Sequence, residues 1–411
     1  MKCCRLVVAL IAAISFSRGV LAGNLTTLHS FVGTDGRHPN AGLTLDGATL
    51  YGTTEGGGSA FGGGTVFSIN TDGSAYRVIH AFHGSDGDGL EAGVTLDGSK
   101  LYGTTFASSP AGTFGTVFVV NTDGNGFQTL HQFQGSDGSG PVANLTLAGG
   151  ALYGTAESGG LSNKGTVFSL NSDGTNFKVL HSFIGSDGSQ PTSALAMAGS
   201  TLYGTTGGGG ALGQGTVFSM NTDGSGFQLL TSTFNGGFDP YAGVIVNGST
   251  LYGAMNSGSG GNSGDSSVFA MNADGSGFHV LHSLSKAEGT SVFMSQLTLN
   301  GSKLYGMAEF GGSHLSGTLF SVNTDGTNFQ VLYNFDLIDG QYPARGVVID
   351  GSMLFGTTMS GGDSNAGTVF ALTVPEPSSI WLLATGVVSS ILPLIYRKFG
   401  RRDERKRPEA G

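Results

Sequence analysis

Residues 42–82 read GLTLDGATLYGTTEGGGSAFGGGTVFSINTDGSAYRVIHAF, and this stretch decides the fold. Four runs in it are rich in β-branched, aromatic and aliphatic residues and are bounded by turn residues, which is the pattern of strands. Strand a is expected near Gly42–Leu45, b at Thr49–Thr54, c at Thr65–Asn70 and d at Tyr76–Phe82. Asp46-Gly47 between a and b reads as a two-residue type I′ hairpin turn, which needs positive φ twice. An NTDG-type turn at Asn70–Gly73 joins c to d. The unit is an up-and-down, four-stranded antiparallel sheet.

The same unit recurs along the chain. Leu-Tyr-Gly starts at Leu50, Leu101, Leu152, Leu202, Leu251 and Leu304, with Leu354-Phe355-Gly356 as a seventh copy, at intervals of 51, 51, 50, 49, 53 and 50. GTVF or a close variant starts at Gly64, Gly115, Gly165, Gly215, Ser266, Gly317 and Gly367. A third motif near LHSF starts at Leu28, Ile79, Leu130, Leu180, Leu281 and Leu332, with a lengthened variant ending at Phe234. About fifty residues per four-stranded unit suits a β-propeller blade. The register of the ends supports a ring: the chain offers a lone d strand at Leu25–Phe31 and ends with a, b and c alone over Val347–Thr373. The expectation is an all-β, seven-bladed β-propeller over residues 23–373, closed by the N-terminal strand. The strand glycine of Leu-Tyr-Gly is expected to admit a close backbone approach near the axis.

GTVF, NTDG and Leu-Tyr-Gly together resemble the exported bacterial tandem-repeat family called GloVer repeats, over roughly residues 25–373. That resemblance implies fold and location and carries no activity. Copy five departs from it, with Ser266-Ser267 in place of Gly-Thr.

Composition agrees with this reading. With 74 glycines in 411 residues, a helical protein is excluded, because glycine costs about 1 kcal/mol per helix-interior position. The hydrophobic fraction of 38%, with 27 Phe and 11 Tyr, is enough to build a core. Both cysteines, Cys3 and Cys4, lie in the first 22 residues, so the propeller has neither disulfides nor thiolate metal sites. Residues 23–396 hold eight Lys and Arg against 25 acids, near -17, a surface that repels nucleic acid.

The two ends read as addresses. Residues 1–22 form a signal peptide: Lys2 and Arg5, then an apolar run from Leu6 to Phe16, then Val20-Leu21-Ala22 as a small-residue cleavage site. A retained N-terminal anchor is the alternative. Residues 374–379 contain Pro375, Glu376 and Pro377. Residues 380–396 are a charge-free stretch of transmembrane-helix length, and 397–411 a basic cytoplasmic tail. In that order they resemble the PEP-CTERM sorting signal. The resemblance implies an exosortase-type membrane transpeptidase as partner, anchorage before processing, and then a life at the cell surface or in extracellular matrix. A plain tail anchor is the alternative.

Strand parity puts the short a–b and c–d turns on one face of the ring and the b–c loops and d–a crossings on the other. Function favours variable loops on a rigid scaffold, so the second face is the candidate. An acid follows each strand d: Asp35, Asp86, Asp137, Asp187, Asp239, Glu288 and Asp339. Each reads first as a turn residue bonding its own backbone. One acid per blade is a poor calcium site, so no cofactor is expected, with calcium as the only candidate. Loop aromatics, among them Phe61, Phe106, Phe114, Phe238, Tyr241, Phe310 and Tyr342, fall on this face, where rings can stack on sugars or anchor their loops. The strand-d histidines, His29, His80, His131, His181 and His282, are spread around the ring and read as packing. Arg37, Arg77 and Arg345 are the only arginines of the repeats. Glu91 and Glu309 are irregular acids that the sequence does not bring together.

No catalytic constellation is assembled. The expectation is therefore a non-catalytic binding or scaffold module for polysaccharide or a surface protein. A propeller glycoside hydrolase or lyase is the alternative, and a structural spacer is a third class.

Overall fold

The computed structural model describes residues 24–374 apart from 60–61, 108–113, 233–238, 257–265 and 293–294. The leader, sorting motif, apolar stretch and basic tail lie outside the described residues. Among the described residues no helix is long and apolar enough to cross a membrane.

The chain is a seven-bladed propeller of four-stranded antiparallel sheets. Blade 1 comprises β2 (Thr44–Asp46), β3 (Thr49–Thr54), β4 (Thr65–Asn70) and β5 (Arg77–Ala81), hydrogen-bonded in that order. Blades 2 to 6 repeat this order from Thr95 to Asn334. Blade 7 comprises β26 (Gln341–Asp350), β27 (Met353–Ser360) and β28 (Thr368–Thr373), and β1 (Leu25–Ser30) pairs antiparallel with β28 as its outer strand. Strands b and c fall where the sequence places them. Strand a of blade 1 pairs over Thr44–Asp46, starting two residues later and ending one residue later than expected, so Gly42 and Leu43 precede the first ladder pair, Thr44 with Tyr51.

Seven apolar clusters hold the ring, each drawn from two adjacent blades. The GTVF phenylalanines Phe67, Phe118, Phe168, Phe218, Phe269, Phe320 and Phe370 are fully buried in them. Strand-a threonines add polar links: Thr95 and Thr146 Oγ1 donate to Leu145 and Leu195 carbonyls of the next blade, each at 2.6 Å.

Two glycine expectations need correction. The a–b loop is Gly47-Ala48, one residue on from Asp46-Gly47, and only Gly47 has positive φ (55°). That is the type II′ requirement of glycine at the first central position. The strand glycine of Leu-Tyr-Gly meets an aromatic ring first in every copy, and only Gly253 also has a backbone oxygen close by, that of Gly243 at 3.1 Å from its Cβ position. Gly154 pairs with Phe168 across the sheet, and a Cβ on it would stand 2.4 Å from Phe168 Cζ. The aromatic ring occupies the space a side chain would take.

The third motif staples blade to blade. In strand d of blade 7, His29 stacks on Tyr76 of blade 1 with centroids 3.8 Å apart and planes 5° off parallel. His80, His131, His181 and His282 stack likewise on Phe127, Phe177, Phe227 and Phe329. Burial holds the imidazoles of His80 and His131 below their ordinary value, while Asp86 and Asp137 pull the other way. The unfolded chain therefore takes up these protons first as pH falls through about 6.5. Stability from the two groups is complete above that pH and declines below it. The melting temperature is expected to drop between pH 7.5 and 5, less steeply when His80 and His131 are both replaced by Gln. A melting temperature that climbs over that interval would show the sign to be wrong.

Candidate functional site

The ring of acids on the loop face is spoken for. Asp35 Oδ1 accepts the Val32 N–H at 2.9 Å, and Oδ2 accepts from His29 Nε2 at 2.9 Å. Asp86, Asp137 and Asp187 meet His80, His131 and His181 at 3.3, 2.9 and 2.9 Å. Glu288, longer by a methylene, stands 3.5 Å from His282. In blade 6 the Tyr333 hydroxyl donates to Asp339 instead. The turn reading holds for five of these, whose carboxylates accept a backbone N–H three residues back, whereas the Asp86 carboxylate meets the side chains of His80 and His83; the strand-d ring that each acid meets was missed. A six-residue spacing, His29 to Asp35, was the signal available in the sequence.

Asp239 does not belong to this ring. Its carbonyl accepts the Asn256 N–H (3.3 Å), as those of His38, Gly89, Gly140, Gln190 and Ser291 accept from Glu55, Phe106, Glu157, Gly207 and Glu309. It therefore occupies the left-handed position before the crossing turns inward, with φ 55° beside 53° at His38 and 57° at Gln190. The lengthened crossing of copy four displaced the count. Phe61 and Phe238 lie outside the described residues. Phe106 and Phe310 are each 41% exposed.

These backbone bonds define the working surface. The residue leaving each strand b is tied to a left-handed residue of the d–a crossing, and both positions vary from blade to blade while the bond is kept. The first series contains three carboxylates, Glu55, Glu157 and Glu309, and the exposed Phe106.

The crossing then passes a position that holds a small residue in blades 1 to 6 (Ala41, Ala92, Ala143, Ser193, Ala242 and Ser295) and Arg345 in blade 7. Arg345 sits in the left-handed region (φ 44°) at an irregularity in the β26–β27 pairing. Its side chain, only 9% exposed, reaches past blade 1. One guanidinium nitrogen donates to the Val142 carbonyl of blade 3 at 2.5 Å, and another stands 3.4 Å from Glu91 Oε2 of blade 2. Its Nε is buried with no hydrogen-bond partner.

Burial pulls the guanidinium below its ordinary value, against the attraction of Glu91, Glu55 and Glu157. Burial likewise pushes the Glu91 and Glu157 carboxyls up, and Arg345 draws both down. Glu309 stands apart, bonded to Ser291 at 3.2 Å, so the two irregular acids do not meet. Among the described residues no three His, Cys, Asp or Glu side chains gather as a cation would require.

Below Arg345 an axial cavity of about 970 Å³ runs along strands a of blades 1, 6 and 7 to the hairpin residues Asn300 and Gly351. Arg345 is the charged residue of its lining, beside Asn144, Gln296, Thr44 and Thr298. The guanidinium thus separates a polar shaft from an acidic mouth on the loop face.

A family model described as Gloeobacter/Verrucomicrobia repeat matches residues 57–265 and 239–385. No match is found among curated proteins. Among solved structures the chain is similar to an oligogalacturonate lyase in complex with manganese, at 14% identity and a TM-score of 0.53 over 87% of this chain and 94% of that one. It is also similar to TolB from Acinetobacter baumannii, at 12% identity and a TM-score of 0.42 over 76% of this chain and 60% of that one. At 14% identity the likeness to the lyase is one of fold.

Proposed function

We propose, from the premise that the chain belongs to the Gloeobacter/Verrucomicrobia repeat family, that it is an exported propeller binding a hydroxyl-rich polysaccharide or a surface protein at the mouth of its axis, without catalysis. The observation that carries this reading is Arg345. A residue that is small in the six other blades is replaced by a nearly buried guanidinium, held in a strained conformation with one nitrogen unpartnered. Strain of that kind persists where the surroundings over-determine it, as binding sites do. Carboxylates outnumber the guanidinium here, which favours neutral, hydroxyl-bearing groups over anions.

Export by residues 1–22, sorting at Pro375, Glu376 and Pro377 by an exosortase-type transpeptidase, and temporary anchorage through 380–396 complete the proposal. Val374 bonds Ser352 of an a–b hairpin, and Thr373 bonds Asn24, so the tether would leave from the turn face. The axial mouth would then point away from the membrane, toward the matrix. In the same reading β1 holds the ring shut.

The test is retention of the full chain on extracellular polysaccharide. Arg345→Lys keeps the charge and loses the planar fork, and it is expected to weaken retention at least tenfold while the fold survives. Unchanged retention would remove Arg345 from the site. One observation favours a second reading, a hydrolase or lyase: burial holds both Glu91 and Glu157 toward their protonated forms, as an acid catalyst requires. Turnover of a polysaccharide panel, lost in Glu91→Gln or Glu157→Gln, would decide for the enzyme.

A further inference from the structure

Two exposed aromatic surfaces flank the axial mouth on opposite sides of the ring. On the blade 2 side, Phe106 leaves strand b with 41% of its surface exposed, tied through its N–H to the Gly89 carbonyl at 2.9 Å. Its ring lies over Gly140 of the next crossing: a Cβ there would come 2.9 Å from Phe106 Cε2. Only a residue without a side chain leaves the ring that seat. On the blade 6 side, Phe310 is equally exposed and meets Tyr342 edge to face, with centroids 5.2 Å apart and planes 65° inclined. Glu309, beside this pair, has its carboxyl pushed up by burial and bonded to Ser291 Oγ.

Covering the exposed part of each ring would bring apolar surface out of water, a gain of about 25 cal/mol per Å². Neither is needed for the blade clusters, which are built from the buried strand phenylalanines. Between them lie the glutamates and the guanidinium of the axis. Aromatic faces beside carboxylates and a guanidinium suit a pyranose chain, with C–H faces on the rings and hydroxyls on the charged groups. A protein loop would need no such alternation across the mouth. An acidic glycan would meet a net negative surface.

We infer that the propeller takes an internal segment of a neutral, linear polysaccharide laid across the axial mouth, with one sugar ring on Phe106 and another on the Phe310–Tyr342 pair. This rests on the binding reading above and adds the ligand class and its direction. Binding then depends on chain length: a disaccharide reaches one platform, and a longer oligosaccharide reaches both.

The experiment is calorimetric titration of the full chain with cellohexaose, laminarihexaose and chitohexaose and with the matching disaccharides, using wild type, Phe106→Ala, Phe310→Ala and Arg345→Lys. At least one hexasaccharide is expected to bind more tightly than its disaccharide. Each alanine variant should lose about tenfold in affinity for it, the scale of a truncated aromatic anchor. Both sites are exposed, so melting temperatures should be unchanged. No binding of any hexasaccharide to wild type overturns the inference, as does wild-type affinity in both alanine variants. Loss in Arg345→Lys with full affinity in both alanine variants would leave the axial reading standing and remove the platforms. The reverse pattern would keep the platforms and remove the axial reading.

Discussion

A chain lacking residues 24–31 is expected to lose its cooperative unfolding transition and to aggregate. The segment supplies β1, whose residues pair from Leu25↔Leu372 to Ser30↔Thr368. Without it, the N–H and C=O groups of β28 form an open edge on a hydrophobic sheet, a template for pairing between molecules. The segment also carries Phe31, fully buried between blades 7 and 1 and 5.3 Å from the Phe67 ring. Deleting a buried phenylalanine side chain costs about 3–5 kcal/mol, against a total stability of roughly 5–15 kcal/mol. The deletion also removes His29, and with it the stack on Tyr76 and the bond to Asp35 in the crossing that follows. Phe31→Ala in the intact chain separates the two effects: it should lower the melting temperature yet keep one transition. A deletion variant that melts cooperatively within a few degrees of wild type would show that the ring does not depend on β1.

Gly154→Ala is the second large effect, and it is expected to rival the loss of a core side chain. The added methyl would stand 2.4 Å from Phe168 Cζ and 2.9 Å from Leu145 Cδ2, both in the packed seam between blades 2 and 3. Overpacking of this kind costs about 1–3 kcal/mol. For a chain of this size each kcal/mol corresponds to roughly 2–4 °C of melting temperature. The backbone of Gly154 is not left-handed, so the cost is contact and not conformation. Phe168→Leu combined with Gly154→Ala should therefore recover part of the loss, measured as a non-additive term in a double-mutant cycle. Gly47→Ala offers the contrast: nothing lies near its Cβ, and its φ of 55° is the whole constraint. It should cost about 1–2 kcal/mol, the price of a left-handed alanine. Additivity in the first cycle would refute the ring-over-glycine account.

Much of the blade was legible because it is local. Strands b and c of the first copy, Thr49–Thr54 and Thr65–Asn70, were bounded by turn residues on both sides, and hydrogen bonding between neighbours fixes such runs. The acidic turns were legible for the same reason. Their histidine partners were not, because His29 and Asp35 lie on either side of a strand end and meet only after the crossing folds back. Asp239 was misplaced where copy four lengthens, since a count along the chain cannot tell which residue of an irregular crossing takes the left-handed seat.

The amino-acid sequence alone determined the unit, its seven copies and the face on which variation collects, because each depends on contacts a few residues apart and on repetition. The tertiary structure alone decided which residues share the axis. Arg345 touches Val142 and Glu91, 203 and 254 positions away. A period in the chain says which residues are equivalent, and only the ring's geometry says which of them face one another across its centre.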